Sequence, residues 1–125
     1  MTENQISFDV RGIVFKVYNA LGPGLLESAY EAVLMYELQK AGFSAKAQVP
    51  IPLIYEGVTL EVGYRMDILV ENKVLIEIKS VETLHEVHHK QVITYLKLAN
   101  LKLGLLINFN TSDLKNSIFR KVNGL

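Results

Sequence analysis

A chain of 125 residues, half of them apolar, has the size and make-up of a single globular domain with one core, here spanning residues 1–125. Its 13 basic and 13 acidic side chains cancel, which excludes a uniformly basic nucleic-acid coat but leaves room for a local basic groove. The absence of cysteine excludes disulfides, zinc–thiolate sites and iron–sulfur clusters. The first residues, MTENQISFDVRG, have no basic-then-apolar leader, and no apolar run reaches membrane-spanning length. A cytoplasmic protein without membrane contact is therefore expected.

From Ser7 to Leu21 the residues Val10, Ile13, Val14 and Val17 recur at helical spacing, and Gly22-Pro23-Gly24 ends that helix. A second helix is predicted from about Leu25 to Lys40, with Leu26, Ala29, Val33 and Leu34 as its apolar stripe and Gly42 as its stop. Residues 46–55, KAQVPIPLIY, form an extended segment whose two prolines suit an edge strand, and Glu56-Gly57 is a turn. VTLEVGYRMDILV and KVLIEIKS follow as strands separated by Glu71-Asn72-Lys73, which completes a three-stranded meander. Helical spacing returns from Leu84 to Ala99 through Val87, Ile93, Leu96 and Leu98. LKLGLLINF at 101–109 reads as a buried strand, and IFRKV at 118–122 as a last strand. The order α-α-β-β-β-α-β-(β) predicts an α/β (α+β) domain, a central mixed sheet flanked by helices.

The third strand carries an anomaly. In VLIEIK, residues 74–79, alternation puts Val74, Ile76 and Ile78 on one face and Leu75, Glu77 and Lys79 on the other. The preceding three-residue loop pairs Val70 with Val74 and carries the register on to Asp67 opposite Glu77, with Cβ atoms within about 5.5 Å. Two carboxylates brought together repel unless a proton or cation lies between them. Mg²⁺, an oxygen-seeking ion held by one or two carboxylates and waters, resolves that conflict, and Mn²⁺ serves equally. Lys79 beside them can position or deprotonate a water, or stabilise charge growing on a phosphate. The competing reading is a polar cross-strand face in which Lys79 simply pairs the acids.

Asp67, followed ten residues on by Glu77-Ile78-Lys79, resembles the PD-(D/E)XK nuclease superfamily, with Met66 in place of the proline. Gly24-Leu25-Leu26-Glu27-Ser28-Ala29-Tyr30 fits G-x-x-E-x-x-Y, the motif of the GxxExxY family within it, and Gln91-Val92-Ile93-Thr94-Tyr95 fits Q-x-x-x-Y. The resemblance runs from about residue 7 to residue 123. It implies a nuclease-like fold and a metal-dependent phosphodiester hydrolase acting on DNA or RNA. By that resemblance Asp67, Glu77 and Lys79 are catalytic, while Asp67, Glu77, the Ile78 carbonyl and Glu27 hold Mg²⁺ or Mn²⁺.

The supporting residues each have a plainer reading as well. Glu27 in the first turn of a helix is favoured by the helix dipole alone. Tyr30, one turn on, is either core or a hydrogen-bonding partner of the substrate site. Gln91 and Tyr95 share one helix face, where related nucleases contact the nucleic-acid backbone or brace the site. Arg65, on the strand face of Asp67, meets a phosphate or pairs an acid, and His88 is placed to touch a phosphate. His85 and His89 are four apart, as zinc ligands on a helix are, but no third ligand of that kind accompanies them. The alternative function is a non-catalytic nucleic-acid- or partner-binding module that kept the fold, and a homodimer with one shared groove is a further possibility.

Overall fold

The computed structural model describes all 125 residues. Its elements are α1 (Glu3–Leu21), α2 (Glu27–Lys40), β1 (Ala45–Tyr55), β2 (Val58–Val70), β3 (Val74–Lys79), α3 (Glu86–Ala99), β4 (Leu103–Asn108) and β5 (Ile118–Val122), with a 3₁₀ turn at Leu114–Asn116. The strands form one five-stranded sheet in the order β1-β2-β3-β4-β5. Only the β3–β4 pair is parallel, as a crossover through α3 requires; the rest are antiparallel. The α+β domain with a mixed central sheet is thus observed, including the last strand. No helix is long and apolar enough to cross a membrane.

The helix ends correct the expected ones. α1 begins four residues earlier than Ser7, because the Thr2 side chain accepts from the Gln5 backbone and Gln5 returns the bond to Thr2. α2 begins at Glu27 rather than Leu25, and Leu26, expected in its stripe, is 77% exposed. Its buried positions are Tyr30, Leu34 and Leu38. α3 begins at Glu86, and it buries Val92, Tyr95 and Leu96 while Val87 faces out.

Two apolar clusters cover the two faces of the sheet. The larger joins α1 and α2 to Ile68, Val70, Val74, Ile76 and Ile78, the face predicted from alternation. The smaller joins α3 to Leu69, Leu75 and Leu106, with Ile51 and Met66 from the hairpin. Met66 and Ile68 share strand parity yet lie in different clusters, so the β1–β2 hairpin rolls between them. The roll coincides with Gln48, which has φ +54° in the middle of β1. Gly104 on β4 allows α3 to sit close, since an added Cβ would meet Val92 at 3.1 Å and Leu96 at 3.3 Å.

Candidate functional site

The β2–β3 ladder runs Val70↔Val74, Leu69↔Leu75 and Ile68↔Ile76, the register expected from the three-residue loop, and there it stops. Beyond it side chains take over the backbone's bonds. The Asp67 amide donates to Glu77 Oε1 at 3.0 Å, and the Ile78 amide donates to Asp67 Oδ2 at 2.8 Å. Each carboxylate therefore spends one oxygen bridging the parted strands, and the other Asp67 oxygen, Oδ1, accepts from Gln48 Nε2 at 3.5 Å.

Burial decides the electrostatics. Glu77 is 3% exposed, and desolvation, followed by the charge of Asp67, pushes its carboxyl up to about 8. Asp67 is also raised, by desolvation first, against the lowering effect of the Ile78 amide and Lys79, with Glu27 adding to the rise. Lys79 is half-buried beside both acids, yet the molecule's one ion pair joins Lys16 to Glu37 at 2.9 Å. Lys79 is not an ion-pair partner of either carboxylate.

The G-x-x-E-x-x-Y stretch folds as a brace. The Tyr30 hydroxyl donates to the Gly22 carbonyl and accepts from the Leu25 amide at 3.2 Å, so it closes the loop before α2. Gly24 within that loop has φ +93°, a conformation that favours glycine. The Tyr30 ring is fully buried and stacks on Phe109 with centroids 4.1 Å apart. Of the two readings of Tyr30, the structure displays the core one: the residue is buried and aims the start of α2. From that start Glu27 Oε2 accepts from the Ser80 amide at 2.9 Å, and Ser80 Oγ donates to the Leu25 carbonyl at 2.6 Å. Glu27 is thereby tied to the end of β3, on one wall of a cavity of about 160 Å³ that Ser28, Glu31, Gln48, Asp67 and Ile78 complete.

On the α3 side Gln91 Nε2 donates to the Tyr95 hydroxyl at 3.0 Å. Tyr95 is buried and its phenol is raised, by desolvation and then by the Glu77 charge, which sets this pair against the acidic site. His88 Nδ1 accepts from the His85 amide at 3.0 Å at the start of α3, leaving Nε2 to carry the proton. Its imidazole is lowered by burial and then by Lys79. His89 packs edge-on against Phe119 at 4.8 Å, and the histidines belong to no group of three or more side chains that could hold a metal ion. Arg65 is exposed and donates to the Gln48 carbonyl at 3.4 Å rather than to an acid.

A family model for the PD-(D/E)XK nuclease superfamily matches residues 4–121. The chain belongs to that superfamily. No curated protein and no solved structure gives a significant match.

Superfamily membership brings a divalent metal into question. No group of three or more Asp, Glu or His side chains is gathered tightly enough to hold an ion by itself. The residues nonetheless fit one. Asp67 lines the cavity at the start of α2 with Glu27 and Glu31, Glu77 meets Asp67 across the parted strands, and both carboxyls are raised, by desolvation first, which a bound cation would oppose.

Several residues of the site escaped the sequence reading. Gln48 Nε2 donates to Glu31 Oε1 at 2.6 Å and reaches Asp67 Oδ1 at 3.5 Å. Glu31 follows Glu27 by four on the same helix face, a spacing that could have disclosed it. Asn108, 6% exposed, clamps the segment after β3 by accepting from the Val81 amide at 3.1 Å and donating to its carbonyl at 2.9 Å. Neither its residue type nor its spacing marks it.

Proposed function

We propose that this chain is a Mg²⁺- or Mn²⁺-dependent phosphodiester hydrolase acting on DNA or RNA. The observation that carries the reading is the pair of carboxylates that bridge the parted strands, Glu77 to the Asp67 amide and Asp67 to the Ile78 amide. Asp67, Glu77 and the Ile78 carbonyl would hold the ion, and Glu27 would orient its waters from the α2 wall. When bound, such an ion supplies a Lewis acid for the phosphate and acidifies a water. Lys79, free of any ion pair, would position the attacking water or neutralise charge developing on the phosphate. Gln91 and Tyr95, with His88 Nε2–H at the head of the same helix, would orient the strand. The braced Gly24–Tyr30 loop supports placing the chain with the GxxExxY proteins of the superfamily.

The test is incubation with linear, circular and single-stranded DNA and with RNA, in Mn²⁺ and in EDTA. Cleavage of at least one substrate in Mn²⁺, abolished by EDTA and by Lys79→Ala, is expected. No cleavage of any substrate, with Ca²⁺ still raising the melting temperature, would leave a non-catalytic module with a formed ion site.

A further inference from the structure

The charges of this chain cancel in sum but not along its length. Residues 1–83 carry seven basic and eleven acidic side chains, whereas residues 84–125 carry six basic and two acidic ones. The acidic part holds the candidate site, whose cavity is lined by Glu27, Glu31 and Asp67, with Glu77 adjoining Asp67. Such a rim repels a polyphosphate. A phosphodiester polymer brought to it needs cations elsewhere on the molecule, because phosphate neutralisation supplies most of the non-specific affinity for nucleic acid.

Three of those cations meet at one groove between the outer face of α3 and β5. Lys90, Lys97 and Lys121 line it with His89, and Glu86 is its one acid. Lys90 and Lys97 are exposed and seven residues apart, so they share a helix face. Their separation of about 10 Å along the axis matches roughly three phosphate steps of a duplex strand at about 3.4 Å each. Lys121 is held in place from below. Its ammonium sits 5.9 Å from the centre of the Phe119 ring, against which His89 packs edge-on at 4.8 Å. Phe119 in turn packs on the α3 cluster, so the third charge rests on a fixed base. None of the three lysines is neutralised, since the molecule's one ion pair joins Lys16 to Glu37.

The groove lies apart from the site. At 3.6 residues per turn, Lys90 and Lys97 point roughly 100–160° away from Gln91 and Tyr95 around the helix. Its charge selects a polyanion, and α3 selects which one. An acidic peptide would suit the sign alone, whereas a nucleic-acid backbone crossing this helix runs from the lysines on one flank to the carboxylates beside the other. We infer that the α3–β5 groove, through Lys90, Lys97 and Lys121, docks the phosphate backbone of a nucleic-acid segment lying outside the acidic site. The identity of that ligand rests on the nuclease reading, while the cationic groove itself does not.

The test is binding of a fluorescent DNA duplex and a fluorescent single strand in EDTA, where no cleavage intervenes, at a series of salt concentrations. Wild type is expected to bind with an affinity that falls as salt rises. Lys90→Ala, Lys97→Ala and Lys121→Ala should each make the logarithmic salt slope shallower by about 0.7–0.9. The triple variant should lose about 2–3 from the slope and about tenfold or more in affinity at low salt. All three positions are at the surface, so the melting temperature should hold. Removing the same charge at Lys40, Lys73 and Lys115, which lie outside the groove, should leave slope and affinity near wild type. Groove-dependent binding by a wild type that cleaves nothing in Mn²⁺ would sink the nuclease reading and leave the docking surface standing. Cleavage with an unchanged salt slope in the triple variant would do the reverse. A wild type that binds no nucleic acid, an equal loss in the control variant, or groove-dependent binding of polyglutamate alone would each overturn the inference.

Discussion

The two ends of the β2–β3 hairpin use the same pair of strands differently. At the loop end, Ile68–Val70 and Val74–Ile76 pair backbone to backbone between two apolar clusters. One residue further, Asp67 and Glu77 break that ladder by inserting their carboxylates between the strands. A hydrogen-bonded ladder needs nothing from its side chains except burial. An open end must be held by side chains, and here those side chains are two acids whose burial and mutual repulsion hold Glu77 toward its protonated form. The closed end accounts for stability, and the open end stores an electrostatic cost that a cation can relieve.

That contrast can be broken from either side. Ile76→Ala, at the closed end, leaves a cavity beneath fully buried neighbours and should cost about 2–5 kcal/mol by denaturant unfolding. Cleavage per folded molecule should hardly change. Lys79→Ala, at the open end, should reverse the pattern, with stability near wild type and Mn²⁺-dependent cleavage lower by about a hundredfold or more. Lys79→Arg should fail as well, since a planar guanidinium does not reproduce the compact shape and point charge of an ammonium. Full activity in the arginine protein would reduce Lys79 to a plain surface charge.

A smaller effect concerns the acids themselves. With its folded-state carboxyl at about 8 against an ordinary 4.5, Glu77 favours the protonated folded protein. Its contribution to stability is complete below about pH 4.5 and is lost as pH rises through 8. The metal-free protein should accordingly melt lower at about pH 9 than at about pH 5, by an amount on the order of a few kcal/mol at most. Glu77→Gln and Asp67→Asn should flatten that dependence and stabilise the metal-free protein near neutrality by about 1–2 kcal/mol, measured by thermal melting in EDTA. A loss of stability in both would make the pair a structural feature. The smallest expected change is Gln48→Gly. It relieves a left-handed backbone at φ +54° and should shift stability by less than about 1 kcal/mol, while loosening Asp67 enough to weaken Mn²⁺ binding severalfold.

The closed end was legible in the sequence because alternation and an odd-length loop fix strand register, and register fixes faces. The same logic placed Asp67 opposite Glu77, but it could not show that the ladder ends there, since that depends on where carboxylates find amides. Helix starts were read less well. Leu25 and Leu26 have helical apolar character, yet the Tyr30 hydroxyl holds the Leu25 amide in the preceding loop. Thr2 and Gln5 carried a readable capping signal that the polar first turn concealed. Gln48 was invisible, because nothing in a glutamine within a strand sequence announces a positive φ. Tyr30 showed that a motif discloses which residues matter without telling which way they point.

The most direct test of the account is a calorimetric Mn²⁺ titration of the wild-type protein at about pH 7, repeated in buffers of different ionisation heat. If Asp67 and Glu77 hold the ion, binding is one to one and expels the proton that Glu77 keeps in the metal-free state. The account predicts release of about one proton per ion at that pH, falling toward none above about pH 9 and accompanied by no binding in Glu77→Gln. Binding without proton release, or equal affinity in Glu77→Gln, would contradict it.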